Sequence, residues 1–191
     1  MSTMNLCIDI GNTRSKYAVF QDMRLLANGV WKKYSVRQIR KIEKEFPSIQ
    51  RIIISTVTLL DQSFKEEISK KSGKYLVLKH TTPLPIVNKY ETPKTLGNDR
   101  LSSVIGANAL FPKRDCLVID AGTCIKYDFI SAKAIYKGGS ISPGMKMRLE
   151  AMHHFTAKLP LVKPFEHDDF VGNNTKEAIL AGAQYLSLIH I

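Results

Sequence analysis

A short phrase occurs twice in the chain and constrains the fold more than any other feature. Segment 9–13 reads Asp-Ile-Gly-Asn-Thr, and segment 120–123 reads Asp-Ala-Gly-Thr. Each segment directly follows a short apolar run, 5–8 or 116–119, that has the pattern of a buried strand. Each loop therefore places a carboxylate and small residues at a strand end, where backbone N–H groups can face phosphate. Two such loops predict a duplicated fold that binds one nucleotide.

The hydrophobic periodicity predicts an α/β chain. The expected strands are 4–10, 15–20, 24–31, 51–57, 75–78, 116–121, 125–130 and 133–137, and the expected helices are 35–46, 61–72 and 98–110. Ser35 and Asp61 are suitable N-caps, and Gly73 is expected to end the second helix. The glycine pair 138–139 predicts a turn, and Asn174 with Glu177 predicts a capping box at a last helix.

The repeated phrase predicts two domains, residues 1–110 and residues 111–191. The second is expected to be incomplete at its C-terminal end, because it is shorter than the first half that it repeats. A missing closing layer would expose apolar surface around Ile179, Leu180 and Leu186 and reduce stability or alter dimerisation.

Composition and charge narrow the class of protein. The chain has 191 residues, 44% of them hydrophobic, which is ordinary for a globular protein. The three cysteines lie in or beside apolar runs, which predicts reduced thiols in a cytoplasm. The first apolar run, 6–10, is short, contains Asp9 and has no basic flank, so no signal peptide is expected, and no apolar stretch is long enough to span a bilayer. The net charge of +11 leaves a nucleic-acid partner open, but the positive residues are dispersed among acidic ones, as on a solvated helix face.

Five motifs, in this order, resemble those of type III pantothenate kinases. They are 9–16 (Asp-Ile-Gly-Asn-Thr-Arg-Ser-Lys), 97–100 (Gly-Asn-Asp-Arg), 120–123 (Asp-Ala-Gly-Thr), 138–144 (Gly-Gly-Ser-Ile-Ser-Pro-Gly) and 156–160 (Thr-Ala-Lys-Leu-Pro). The resemblance covers nearly the whole chain. It implies two duplicated actin-like (ribonuclease H-like) domains with mixed sheets flanked by helices and a nucleotide cleft between them. It also implies ATP-dependent phosphorylation of pantothenate, the first step of coenzyme A biosynthesis, by a homodimeric enzyme.

The resemblance assigns a role to particular residues. For ATP it implies Asp9, Ile10, Gly11, Asn12, Thr13, Arg14, Ser15, Lys16 and Thr123. For pantothenate it implies Tyr90, Gly97, Asn98, Asp99, Arg100 and Thr175, with Asp99 as the catalytic base. A carboxylate suits that role because phosphoryl transfer to an alcohol needs a group that orients the hydroxyl and takes its proton.

Two cofactors follow from the resemblance. Asp9 would hold Mg²⁺ beside the nucleotide phosphates, through water, since carboxylate oxygens are the ligands this ion prefers. Asp120 would lie near a monovalent cation, K⁺ or NH₄⁺. The pair His153–His154 does not predict a zinc site, because adjacent residues of a helix point in different directions. No role is assigned to Asp128.

Two other readings remain open. A non-catalytic relative could keep the fold and act as a regulator associated with nucleic acid, although it would be expected to lose the base at Asp99. A kinase for another small alcohol would keep the same machinery and differ in the substrate segment.

Overall fold

The computed structural model describes residues 3–71, 73–164 and 169–185. Five strands form the first sheet: β1 (Met4–Ile10), β2 (Ser15–Gln21), β3 (Arg24–Trp31), β4 (Ile49–Thr56) and β5 (Tyr75–Val77). They lie in the order β3-β2-β1-β4-β5. β1 pairs antiparallel with β2 and parallel with β4, so the sheet is mixed.

The core of this sheet follows from the alternation of side chains along β1. Leu6, Ile8 and Ile10 are buried, while the residues between them are only half-buried. Two helices, α1 (Val36–Glu45) and α2 (Gln62–Lys70), contribute Ile39 and Phe64 to the same cluster. The first strand therefore has one face committed to the core and the other available to line a site.

The two predicted N-caps are confirmed. Ser35 Oγ accepts a hydrogen bond from the Gln38 N–H at 3.3 Å, and Asp61 Oδ1 accepts one from the Phe64 N–H at 2.8 Å. The prediction that Gly73 ends the second helix was wrong, because α2 stops at Lys70 and Lys71 is its C-cap. The Lys71 N–H bonds to Ile68 O, so the chain leaves the helix before it reaches the glycine.

A second sheet contains β6 (Val87–Asn88), β7 (Cys116–Ala121), β8 (Cys124–Ile130) and β9 (Ile135–Pro143), in the order β6-β9-β8-β7. The short β6 runs parallel to β9, with Asn88 opposite Tyr136. Sequence periodicity missed β6, which has two residues and so shows no alternation.

The glycine pair at 138–139 is not a turn, which corrects the prediction for this segment. Both residues lie inside β9, a strand longer than the expected 133–137. Gly138 has φ +118°, a conformation that favours glycine, and a Cβ at Gly139 would overlap the Tyr127 carbonyl. Close backbone approach, rather than chain reversal, therefore explains the two glycines.

Three further helices complete the described chain: α3 (Asn98–Leu110), α4 (Met145–His154) and α5 (Thr175–Tyr185). The predicted cap of α5 is confirmed, since Asn174 Oδ1 accepts from the Glu177 N–H at 3.1 Å. The Glu177 side chain reaches back as expected, but its Oε2 accepts from the N–H of Asn173 at 2.9 Å, one residue before the cap. The described helices include none that is both apolar and long enough to cross a bilayer.

The expected apolar surface on the last helix is not found where it was predicted. Ile179 and Leu180 are buried, because Leu149 of α4 and Val162 pack against them. Leu186 lies outside the described residues. The helix α4, for which the periodicity gave no clear expectation, is the layer that covers this face.

The chain forms two compact units. The first consists of Met1–Cys116 with Ile130–Gly138, and the second consists of Leu117–Phe129 with Gly139–Ile191. In the first unit, the ring of Trp31 at the end of β3 stacks on Tyr17 of β2, with centroids 4.6 Å apart.

A charged network ties α1 to α2 in the first unit. The buried Glu67 carboxylate accepts from Arg40 at 2.7 Å and pairs with Lys71 at 2.9 Å, and Lys71 also reaches Glu43 at 3.3 Å. The hydrogen bond from Arg40, followed by that from Lys71, lowers the pKa of Glu67 to about 2. Because the ionised form is favoured in the folded state, Glu67 stabilises the fold above its ordinary pKa of 4.5.

Replacement of Glu67 by Gln is expected to lower the free energy of unfolding at neutral pH by about 1–2 kcal/mol, a modest value because Arg40 is largely exposed. The difference from wild type should shrink as the pH falls from 4.5 towards 2, where the wild-type carboxylate takes up its proton. Thermal or urea denaturation at several pH values measures this difference in the free energy of unfolding. Glu66→Gln, on the exposed side of the same helix, should change little, and equal losses in both variants would contradict the role of the network.

Candidate active site

The first loop lies at the end of β1. The Gly11 N–H donates to Arg14 O at 3.1 Å and closes a tight turn in which Asn12, Thr13 and Arg14 are exposed. Exposed polar side chains and turn amides on a rigid strand end are suited to contact an anion. The loop that the sequence predicted is therefore present, with its polar groups directed outward.

Asp9 precedes this loop and has charged and polar neighbours on both sides. Its Cα partner on β2 is Lys16, and its partner on β4 is Ser55. Asp9 is half-buried and Lys16 is exposed. Both line a largely apolar cavity of about 600 Å³ within the first unit, which also reaches Ser102 and Gly106 of α3. A ligand thus has room beside the Asp9 carboxylate.

The start of α3 is anchored to the sheet by Asn98. Its side-chain amide donates to Thr56 O at 3.1 Å and to Leu78 O at 3.0 Å, at the ends of β4 and β5. Thr56 is in turn the Cα partner of Ile10 on β1. The predicted substrate segment and the first loop are therefore brought to one edge of the first sheet.

Asp99 sits in the first turn of α3 and is half-buried. Gly97 is the N-cap residue, with no side chain to satisfy the first amides. A Cβ at position 97 would overlap the Asp99 carboxylate, so glycine there leaves that carboxylate the space at the helix start. The first amides of the helix lie beside this carboxylate, so the backbone offers N–H donors at the same place.

Arg100 and Tyr90 form the other part of the substrate segment. The guanidinium carbon of Arg100, a buried residue, lies 5.5 Å from the centre of the Tyr90 ring. Tyr90 stacks on the fully buried Tyr136, with ring centroids 6.2 Å apart. A Cβ at Gly138 would come within 3.3 Å of the Tyr90 ring. A rigid aromatic pair thus supports a buried cation.

The second loop, in the second unit, connects β7 and β8. The Gly122 N–H donates to Cys124 O at 3.0 Å, and the Gly144 N–H donates to Thr123 O at 3.0 Å. Asp120, at the end of β7, forms an ion pair with Lys126 of β8, with Oδ2 and Nζ 2.6 Å apart. The 138–144 motif therefore supports the second loop through its last glycine.

Three more residues of the second unit were considered in the sequence analysis, and none of them belongs to this loop. Thr175 is the exposed first residue of α5, Asp128 is buried in β8, and His153 Nδ1 donates to Leu159 O at 2.7 Å. Among the residues that the structure describes, no three His, Cys, Asp or Glu side chains group as a metal site.

Comparison with known proteins identifies the family. The sequence model of type III pantothenate kinases matches residues 5–191. The chain belongs to the type III pantothenate kinase family. The type III pantothenate kinase of Christiangramia forsetii is 45% identical over 180 residues, which are 94% of this chain and 74% of that protein. The type III pantothenate kinase of Bacteroides fragilis is 41% identical over 181 residues, with 95% and 74% covered.

Among solved structures, a conserved Campylobacter jejuni protein assigned to the Baf family of transcriptional activators resembles this type III pantothenate kinase family member. The match has a TM-score of 0.51 and 21% identity and covers 97% of this chain and 78% of that one. At this identity the likeness concerns the fold alone.

Sequence reasoning missed two residues of this family member's candidate site. Tyr136 was not connected with Tyr90, because their stacking depends on the pairing of β6 with β9. Lys126 was not connected with Asp120, although a signal was available. In the first repeat Lys16, seven residues after Asp9, pairs with it across the hairpin, and in the second repeat Lys126 follows Asp120 by six residues.

The packing of Gly144 against the second loop can be tested by adding one methyl group. A Cβ at this position would overlap Gly122 O and press on Thr123 O, so Gly144→Ala is expected to cost about 1–3 kcal/mol of stability. Gly182→Ala, in α5 of the same unit, meets nothing within 4 Å and should be neutral or stabilising by up to about 1 kcal/mol. Chemical denaturation compares the two. Equal behaviour would contradict the supporting role of Gly144.

Proposed function

We propose that this protein transfers the γ-phosphoryl group of ATP to the primary hydroxyl of pantothenate, the first step of coenzyme A biosynthesis. The observation that carries the proposal is the position of Asp99. Within a chain of this family, the carboxylate stands at the start of α3, and Asn98 ties that helix to the strand ends beside the first loop. A regulator without catalysis would have no need of a carboxylate in that place.

Asp99 is proposed as the catalytic base. In phosphoryl transfer the acceptor hydroxyl must point at the γ-phosphorus, and a carboxylate that accepts its hydrogen bond both aims it and removes its proton as the new bond forms. Gly97 leaves space beside this carboxylate, because a Cβ at position 97 would overlap it.

Arg100, Tyr90 and Thr175 are proposed to bind pantothenate, with Gly97 and Asn98 shaping the segment. The fork of N–H donors on Arg100 suits a carboxylate, which pantothenate carries at the end opposite its primary hydroxyl. Burial of Arg100 under Tyr90 strengthens such a contact, because there is little water to compete with it.

The segment from Asp9 to Lys16 and Thr123 are proposed to bind ATP. Asn12 and Thr13 would donate to phosphate oxygens, and Lys16 would add positive charge near Asp9. The residues present fit a divalent ion, since Asp9 offers a carboxylate beside open space, as Mg²⁺–nucleotide sites require. When bound there, Mg²⁺ would neutralise the charge that develops on the phosphates.

Three finer points complete the proposal. The enzyme is proposed to act as a homodimer in the cytoplasm, where its three free cysteines would stay reduced. The family resemblance also implies K⁺ or NH₄⁺ at Asp120. The residues present do not fit a separate ion, because the Lys126 ammonium already pairs with that carboxylate.

The proposal is tested by mass-spectrometric detection of 4′-phosphopantothenate after incubation with pantothenate, ATP and Mg²⁺. Asp99→Asn is expected to lower kcat by about 10²-fold or more, because the variant can hold the hydroxyl but cannot take its proton. The affinity for ATP should stay within about twofold, since Asp99 is assigned to the acceptor.

Asp61→Asn is the matched control. It makes the same change at another helix start, where Asn caps as well as Asp, and should leave kcat unchanged. A panel of small alcohols with carboxylates runs in parallel. Phosphorylation of another alcohol in preference to pantothenate would assign a different substrate, and an unaffected Asp99→Asn enzyme would remove the base from the mechanism.

A further inference from the structure

The side chain of Lys126 places a positive charge beside the second loop. The Nζ of Lys126 lies 2.6 Å from Oδ2 of Asp120, a short charge-assisted contact. The Lys126 side chain is only 17% exposed, whereas Asp120 is 40% exposed, so the ammonium lies deeper than the carboxylate it pairs with. This is not an ordinary surface pair between two mobile side chains.

The placement of Lys126 is fixed by the strands. Asp120 is the second-to-last residue of β7 and Lys126 lies in β8, and the turn between the strands is closed by the Gly122 N–H to Cys124 O bond. Residues two apart on a strand share a face, so Lys126 projects on the same side of β8 as the buried Asp128. The ammonium is thus held beside a loop that includes Thr123, proposed above to contact nucleotide phosphate.

A free monovalent cation at Asp120 would have to share this carboxylate with the ammonium. The two positive charges would then lie close together and repel each other in a partly buried place. An alkylammonium group also offers the charge and the N–H donors of NH₄⁺ itself. The chemistry expected from a bound cation is therefore already supplied by a side chain.

We propose that the ammonium of Lys126 stands in place of a bound monovalent cation at Asp120, so that nucleotide binding by this chain does not depend on K⁺ or NH₄⁺. This inference rests on the proposed function in one respect, namely that the second loop contacts the nucleotide. Because the cation is tethered, it needs no ion from solution and pays no translational cost on binding.

The same arrangement recurs in the first unit. Asp9 is the second-to-last residue of β1, and Lys16 is its direct cross-strand partner on β2. Both copies of the repeated phrase thus place a lysine across the hairpin from the strand-end aspartate. In the second copy the pair is closed by a direct ion pair.

The experiment compares KCl, NH₄Cl and choline chloride at constant ionic strength. Calorimetry measures MgATP affinity, product formation gives the rate, and thermal unfolding without nucleotide gives a readout independent of activity. Wild type is expected to differ by less than about twofold between salts in affinity and rate, with equal unfolding midpoints. Lys126→Met should bind MgATP about tenfold more weakly in choline chloride and regain affinity in KCl. Its unfolding midpoint should rise with KCl, since an ion that binds only the folded state stabilises it.

Two further variants serve as controls. Lys126→Arg keeps the charge and should remain independent of K⁺. Lys146→Met removes a lysine from an exposed pair with Glu150 on α4 and should behave as wild type in every salt. If Lys126→Met does not fold, the salt comparison on wild type and Lys126→Arg still decides the matter.

The outcomes separate this proposal from the kinase assignment. Activation of wild type by KCl by more than about fivefold, or a rise of its unfolding midpoint in KCl over choline chloride, overturns the tethered cation while leaving the kinase in place. Absence of phosphorylated product, together with the expected salt pattern in unfolding and MgATP affinity, overturns the kinase and supports the tethered cation. The tethered cation is also overturned if Lys126→Met binds MgATP as tightly as wild type does in choline chloride.

Discussion

A carboxylate near the end of a buried strand, faced by a lysine on the next strand, is the constraint on which each of the two loops depends. The pair is Asp9 with Lys16 in one unit and Asp120 with Lys126 in the other. A tight hairpin fixes the register, and the register fixes which side chains face each other. The loop between the strands can then present its amides to an anion while the aspartate beside it keeps a positive neighbour.

The substrate segment depends on the same strand ends. Asn98 bridges two carbonyls at the edge of the first sheet and so sets where α3 begins. Asp99 and Arg100 follow at once, the first half-buried and the second buried under Tyr90. A single amide side chain therefore connects the position of the proposed base to that of the first loop. The position of α3 is well defined because Asn98 bonds to backbone carbonyls that the sheet already holds in place, so no further conformational entropy is lost in ordering them.

Much of this arrangement could be predicted from the sequence because it follows from local rules. The alternation along β1 and the helix caps at Ser35, Asp61 and Asn174 each depend on residues a few positions apart. The family resemblance supplied the candidate roles, and the structure places Asp99 and the first loop at one sheet edge.

The features that sequence could not supply depend on contacts between distant segments. Gly138 and Gly139 looked like a turn because the sequence does not show that the Tyr90 ring and the Tyr127 carbonyl press against them. Burial of Ile179 and Leu180 depends on α4, which has a weak amphipathic pattern. The sequence does not show which of the many lysines contacts Asp120, because the contact of Lys126 with Asp120 depends on how the strands lie in the folded chain.

The stacking of Trp31 on Tyr17 has a practical consequence for spectroscopy. Trp31 is the single tryptophan of the chain and lies opposite Ser15, next to Lys16 of the first loop. Its emission therefore comes from one place only, the hairpin that carries this loop. The quantum yield of an indole stacked on a phenol changes when their spacing changes, so tryptophan fluorescence, excited where tyrosine does not absorb, offers a label-free signal of events at the first loop.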